Sequence, residues 1–296
     1  MKNLINKYLP ATVASKIIET ARWVKKKNRQ MIRLYRFGNK PFFKEIITKD
    51  GNFNIQLQPT KNGCIDETIV EQGFWESELS EQLIKNLKPG DTFLDIGANI
   101  GYHSLLISAV SERNVTVHAF EPITNLFNQI EQSRQKNNFT NLTIHNFGLG
   151  DKESQMQIYV RDENMGGSSL FEYKNLNLVR PSEASTISIK TLDSVFNENE
   201  KVDVIKIDVE GYEFEALKGS KKTLRRNSPI IFMEFSPIMY EEDYSGKTKE
   251  FIAYLTDLGY SFYTLDEAGI DLIEWLKGDK RTQIDLKCVN SRKHGT

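Results

Sequence analysis

The stretch from Lys88 to Pro122, KPGDTFLDIGANIGYHSLLISAVSERNVTVHAFEP, constrains this chain more than any other part of it. Thr92 to Ile96 reads as a short buried strand, because Phe93, Leu94 and Ile96 enclose a single carboxylate, Asp95, at its end. Gly97 and Gly101 then let the backbone turn sharply and come close to a ligand. Ile100 to Val110 has the apolar spacing of a helix, and a second strand, Val115 to Phe120, ends in Glu121-Pro122. Two parallel strands that each end in an acid, with a glycine turn after the first, make a nucleoside-binding α/β crevice in which a carboxylate accepts ribose hydroxyls.

The nucleoside follows from the spacing. A dinucleotide fingerprint is Gly-x-Gly-x-x-Gly, with helix-terminal N–H groups aimed at a pyrophosphate. Here the pattern is Asp95-x-Gly97-x-Asn99-x-Gly101. An acid ahead of the first glycine repels phosphate but suits a ligand with a sulfonium and an ammonium group. The pattern therefore favours S-adenosyl-L-methionine over a nicotinamide dinucleotide, the plain alternative being an ordinary tight strand-to-helix turn.

With 296 residues, 39% of them hydrophobic, the chain can bury a large core, as one domain with an extension or as two small domains. No apolar run reaches the length of a membrane span, and Met1 to Pro10 mixes Lys, Asn and Leu without the apolar segment of a secretory signal. Cys64 and Cys288 stand far apart without histidines at ligand spacing, so neither a disulfide framework nor a zinc site is indicated. The expected location is cytoplasmic. Charge is uneven: residues 1 to 40 carry eleven basic side chains against Glu19 alone. After Pro10, Val13, Ile17, Ala21, Val24, Met31, Ile32 and Tyr35 recur at helical spacing, so the leader is a basic amphipathic helix. The leading expectation packs it on the acidic body or on a second subunit; the alternative is peripheral contact of residues 12–36 with an acidic membrane surface.

From Pro41 to Pro59 the pattern is that of a hairpin: Phe42, Phe43, Ile46 and Ile47, the turn dipeptide Asp50-Gly51, then Phe53, Ile55 and Leu57 in alternation. Asn62-Gly63 marks a further turn, and Ile69 to Leu87 leads through Phe74-Trp75 and Glu76 into a helix. Asn125 to Asn137 reads as helix, Leu142 to Phe147 as strand, and Met156 to Val160 as a short strand. By position, Asn146 ends the third strand near where an adenine would lie. Residues 161–185 break the periodicity, and a lid is expected there. A second informative stretch, VDVIKIDVEGYEFEALKG from Val202 to Gly219, gives a buried strand followed by Asp208 and Glu210. In a doubly wound sheet this fourth strand lies beside the first, so both carboxylates face the ligand. Glu213 and Glu215 fall in a first helical turn, where they favour the positive end of the dipole. Pro229 to Phe235 is a fifth strand carrying Glu234.

Asp95-Ile-Gly-Ala-Asn-Ile-Gly101, Phe120-Glu-Pro122, Gly148-Leu-Gly-Asp151, Lys190-Thr-Leu-Asp193, Ile205-Lys-Ile-Asp-Val-Glu-Gly211 and Leu217-Lys-Gly219, in that order, resemble the FkbM-type methyltransferases over about Phe74 to Tyr260. The resemblance implies a class I methyltransferase fold: α/β, Rossmann-like, with a doubly wound, mostly parallel sheet of seven strands whose last is antiparallel. Residues 1–73 would then be a helix and hairpin extension, and 74–296 the methyltransferase domain. It also implies S-adenosyl-L-methionine as cofactor and commonly O-methylation of sugars or natural products. Carried over residue by residue, Asp95, Gly97, Asn99 and Gly101 line the cofactor, Glu121 holds its ribose, and Asp208 lies beside the reacting methyl.

A sulfonium methyl is already activated, so the protein's task is to position a nucleophile and, for a hydroxyl, to take its proton. Asp208 and Glu210 are the candidate bases, with Glu234 assisting and His103 a rival weakened by its place at a helix start. His118 and His145 lie inside strands and read as half-buried side chains. Magnesium held by Asp208, Glu210 and Glu234 is conceivable, but acids bonded to backbone are the preferred reading, so no metal ligand is assigned. The expected acceptor is a small molecule or carbohydrate. A nucleic-acid methyltransferase is the alternative; the acidic body and the absence of an Asn/Asp-Pro-Pro-aromatic signature after the fourth strand argue against nucleic acid. A further alternative is a non-catalytic cofactor-binding protein.

Overall fold

Short apolar runs without polar alternation belong in the middle of a parallel sheet, where helices cover both faces. The structure, a computed structural model, describes residues 11–110, 114–160, 183–239, 246–278 and 283–291. Its strands in chain order are β1 (Phe42–Ile47), β2 (Asn52–Leu57), β3 (Thr92–Ile96), β4 (Thr116–Phe120), β5 (Leu142–His145), β6 (Gly148–Leu149), β7 (Ser154–Val160), β8 (Glu183–Lys190), β9 (Val204–Ile207), β10 (Ile230–Phe235), β11 (Tyr260–Thr264) and β12 (Ile284–Asn290). Among the described residues, seven of them form one sheet in the order β11-β12-β10-β9-β3-β4-β5. The ladders β9–β10, β3–β9, β3–β4 and β4–β5 are parallel, and β12 runs antiparallel to both β10 and β11. This is the expected doubly wound class I methyltransferase sheet. The strand order reverses at β3, with β4 on one side and β9 on the other, so the crevice opens beyond the carboxyl ends of β3 and β9.

The hairpin β1–β2 forms around Asp50-Gly51 as its alternation predicts, with Ile46, Phe53, Ile55 and Leu57 essentially fully buried. These side chains join the cluster that contains Phe93, Leu105 and Val117 on one face of the large sheet. The helix Thr124–Asn137 completes the hairpin's free edge: Ser133 Oγ accepts from Gln56 N at 2.9 Å and Asn137 Oδ1 from Asn54 N at 2.6 Å. Such bonds cover backbone groups that an edge strand otherwise leaves open. The hairpin therefore backs the sheet and does not roof the crevice.

Two boundaries differ from expectation. The segment leading to Leu87 is two helices, Cys64–Gln72 and Ser77–Asn86, because Gly73 in the left-handed region (φ +83°) ends the first. The strand expected over 142–147 ends at His145, and Gly148–Leu149 crosses to a separate sheet of order β6-β8-β7. Residues 183–185 of the expected lid lie in β8, and 161–182 lie outside the described residues. Ala11–Phe37 is a continuous helix, tied to the body where Arg33 Nε meets Glu67 Oε1 at 3.1 Å and Arg36 meets Glu71 at 2.6 Å. No described helix is long and apolar enough to cross a membrane.

Candidate active site

Two cavities meet at the carboxyl ends of β3 and β9. The first, about 680 Å3, lies between the turn after β3, the Glu121-Pro122 turn after β4, and Ile158, Ile187 and Ile189 of the small sheet. The second, about 720 Å3, lies on the other side, walled by Trp75, Glu76, Tyr102, His103 and Glu234. Asn99, Asp208 and Glu210 line both.

The glycine turn is held by its neighbours. Gly97 N and Ala98 N donate to Phe120 O at 3.0 and 3.1 Å. Gly97 has φ +79°, and a Cβ there would stand 1.9 Å from the Asp208 carbonyl oxygen, so only glycine lets the turn meet the loop after β9. Glu121, 5% exposed, lines the first cavity. Its Oε2 accepts from Asn99 N at 2.9 Å and its Oε1 from Ile123 N at 2.8 Å, joining the two turns. Burial raises its pKa to about 7 against the lowering effect of those N–H bonds.

Asp95 and Gly101 do not line either cavity. Asp95 is 1% exposed, accepts from Ser104 Oγ at 2.6 Å, and lies opposite Lys206 in the β3–β9 register. Gly101 (φ +80°) begins the helix Tyr102–Ala109. Asn146 is exposed, and its Nδ2 donates to the carbonyls of Glu121 and Pro122 at 3.0 and 3.2 Å, steadying the turn that carries Glu121. The structure thus gathers Gly97, Asn99, Glu121, Asp208 and Glu210 at the first cavity, while Asp95, Gly101 and Asn146 support it from behind.

The loop after β9 is braced from below. Glu210 adopts φ +53° and Gly211 φ +98°. Glu213, 2% exposed, accepts from Val209 N at 3.0 Å and Gly211 N at 3.2 Å, so the acid expected to serve a helix dipole also fixes the loop carrying Asp208 and Glu210. Burial raises the Glu213 pKa to about 7. Lys206 Nζ lies 3.4 Å from Asp95 Oδ1 and 3.7 Å from Asp208 Oδ2, and donates to Gly97 O at 3.1 Å. Burial works to lower the lysine's pKa, but Asp95, Asp208 and Glu76 together raise it, so it stays charged.

In the second cavity His103 is 4% exposed, and burial and Lys206 push its pKa down to about 3, leaving a neutral imidazole at pH 7. Its Nε2 lies 3.8 Å from Glu76 Oε2. Burial raises Glu76 to about 7, and burial with Asp208, Glu210 and Asp285 raises Glu234 to about 8. Carboxyls that exchange protons near neutral pH therefore face the same space as Asp208 and Glu210. His118 and His145 are a half-buried stacked pair, ring centroids 5.4 Å apart, that lines neither cavity. Among the described residues no group of His, Cys, Asp or Glu is arranged to hold a metal ion.

Sequence reasoning did not single out Lys206, Glu76 and Trp75 as site residues. The signal for Lys206 was present: a lone cation inside the apolar run Val204-Ile-Lys-Ile207 needs a buried carboxylate partner. Glu76 and Trp75 arrive from the helix start before β3, and only the fold brings them to the crevice.

A family described as the Methyltransferase FkbM domain matches residues 95–262 of the chain. "Methyltransferase 1" of Beauveria bassiana is 25% identical over 148 residues, covering 44% of this chain and 59% of that one. "Hexuronic acid methyltransferase AglP" of Haloferax volcanii is 25% identical over 160 residues, covering 53% of this chain and 61% of that one. The chain thus spans about six-tenths of the length of these curated relatives. A crystal structure of an FkbM methyltransferase from Methylobacillus flagellatus is 15% identical, with TM-score 0.42, over 70% of this chain and 50% of that one. The family match begins at Asp95, runs through both informative stretches and takes in more than half of the 296 residues, and the chain belongs to the FkbM methyltransferase family.

Proposed function

We propose that this protein is an O-methyltransferase that uses S-adenosyl-L-methionine and methylates a hydroxyl of a sugar, a glycan or a small natural product. The observation that carries this reading is the shared wall of the two cavities, because Asn99, Asp208 and Glu210 border both and a donor in one would face an acceptor in the other. The first cavity fits the donor. Glu121, Asp208 and Glu210 line it and no lysine, arginine or histidine among the described residues does, which favours a cationic ligand over a phosphate. When bound, S-adenosyl-L-methionine supplies a methyl group already activated by a sulfonium. Glu121 would hold the ribose, and the tight Gly97 turn brings backbone to the ligand.

The chain's other contributions are orientation and proton transfer. Lys206 and Glu213 fix the loop that carries Asp208 and Glu210. Asp208, or Glu210 beside it, takes the acceptor's hydroxyl proton onto a carboxylate oxygen, with Glu234 and Glu76 able to pass it on near neutral pH. Trp75 with polar and acidic neighbours makes a wall suited to a polyhydroxylated acceptor, and one relative's description as a hexuronic acid methyltransferase supports a carbohydrate. Calorimetry with S-adenosylhomocysteine, followed by transfer of a radiolabelled methyl group across a panel of sugars, uronic acids and hydroxylated natural products, tests the reading. Binding with transfer to a hydroxyl is expected. Absence of binding would overturn the cofactor assignment, and binding without transfer to any acceptor would make the protein a non-catalytic binder.

A further inference from the structure

The helix Ala11–Phe37 plays no part in the site just described, yet it exposes side chains that helices usually bury. Met31 is 63% exposed, Ile32 55%, Leu34 49%, Val24 43% and Tyr35 93%. Successive residues in a helix are about 100° apart around its axis, so Val24, Met31 and Tyr35 lie within about 40° of one another on a single line. Ile32 and Leu34 flank that line. Arg33, two positions from both Met31 and Tyr35, is about 200° away, and it is the residue buried against the body through Glu67. The apolar stripe therefore points away from the protein.

The helix is also strongly basic, with eight lysines and arginines against Glu19 alone. Arg33 and Arg36 pair with Glu67 and Glu71, while Lys25 and Lys27 are exposed at about 100° and 60° to either side of Val24, and Arg29 is exposed nearer the Arg33 side. A second copy of such a helix would bring like charges together, opposing self-pairing. An anionic bilayer surface offers the complement of both features: headgroups for the lysines, and an acyl boundary for Met31, Tyr35 and Val24. At about 1.5 Å per residue the helix is about 40 Å long, enough to lie flat across many headgroups. We propose that Ala11–Phe37 docks this protein on the surface of anionic membranes, lying in the interface with its apolar stripe inserted and the methyltransferase fold held at the membrane by the Arg33–Glu67 and Arg36–Glu71 pairs.

The test is sedimentation of the full chain with phosphatidylcholine vesicles, with and without phosphatidylglycerol, alongside light scattering of the protein alone. Binding is expected to the phosphatidylglycerol vesicles and to be about tenfold or more weaker for phosphatidylcholine alone or in high salt, which screens exposed charges. The double variant Met31→Asp/Tyr35→Asp, and separately Lys25→Gln/Lys27→Gln/Arg29→Gln, should each weaken binding about tenfold, since both apolar insertion and charge contribute. Both sit on exposed positions, so the thermal midpoint should not move. Absence of vesicle binding overturns the proposal. So does binding that ignores phosphatidylglycerol, or a concentration-dependent dimer that Met31→Asp/Tyr35→Asp abolishes while vesicles capture neither form; the last would assign the face to a second copy.

Discussion

Lys206 Nζ lies 3.4 Å from Asp95 Oδ1 on the adjoining central strand, and the two residues are 5% and 1% exposed. A charge pair this deep is costly to break, because the surviving partner is left uncompensated in a medium that solvates it poorly. Asp95, at the head of the most informative motif, thus acts first on Lys206 and through it on Gly97 and Asp208.

Asp95→Asn and Lys206→Met should each destabilise the protein by about 3 to 5 kcal/mol. The double variant should lose at least about 1 kcal/mol less than the sum, since removing both charges leaves neither stranded. Urea denaturation of the four proteins measures the coupling. Strict additivity would mean that the pair is not an energetic unit.

Glu121 is the acid that does reach the first cavity. Glu121→Ala should weaken S-adenosylhomocysteine binding tenfold to a hundredfold, as expected when a hydrogen bond of about 1.5 to 3 kcal/mol to an ionised group is removed. The variant also frees Asn99 N and Ile123 N, so some loss of stability should accompany it. Unchanged calorimetric affinity would remove Glu121 from the ribose site.

The raised carboxyls give stability a definite pH dependence. Glu121 and Glu213 titrate near 7 and Glu234 near 8 in the folded chain, against an ordinary 4.5. Between those values the folded state binds more protons than the unfolded one, so this stability is present at low pH and lost as pH rises through about 7 to 8. His103 and His145, lowered to about 3 and about 4, act in the opposite sense, adding stability as pH rises towards the ordinary histidine value of 6.5. Above about pH 4.5 the three raised carboxyls outnumber the two lowered histidines, so the thermal midpoint should fall as pH rises, most steeply between about 6.5 and 8. Glu213→Gln keeps an acceptor for Val209 N and Gly211 N and should flatten the fall. A midpoint that climbs steadily from pH 7 to 8.5 would contradict the buried carboxyls.

What the sequence made legible was whatever is encoded locally. Asp95-x-Gly97, Phe120-Glu-Pro122 and Asp208-x-Glu210 each sit at the end of a short apolar strand, where turn chemistry and burial leave few choices. The site's depth was not local. Asp95 and Glu121 look equivalent in sequence, both closing a strand, yet one is sealed against Lys206 and the other opens on the cavity. Glu213 reads as a helix-start acid and becomes the brace of the Asp208 loop only because Gly211 turns the chain back over it. Trp75 and Glu76 precede the motif and reach the crevice because the helix that follows them, Ser77–Asn86, packs on the helix Tyr102–Ala109 and on the interior strand β10.

The decisive prediction separates chemistry from binding at the loop after β9. Asp208 and Glu210 border both cavities, so either can reach an acceptor hydroxyl, and Asp208 has Lys206 3.7 Å away to hold it. If one of them takes the proton, Asp208→Asn or Glu210→Gln keeps its shape and hydrogen-bonding reach but removes the basic oxygen, and kcat at saturating cofactor should fall by roughly 10² to 10⁴. Affinity for S-adenosylhomocysteine should change far less in Glu210→Gln, because Lys206 anchors Asp208 independently of that side chain. If Asp208 mainly attracts the cofactor's positive charge, its Asn variant should instead weaken binding by about 1.5 to 3 kcal/mol and recover turnover at saturation. We expect Asp208→Asn to show part of each effect and Glu210→Gln to lose turnover alone. Wild-type kcat in both variants would shift the base to Glu234, whose side chain lines the second cavity beside them and whose pKa near 8 would make turnover rise as pH passes through that value.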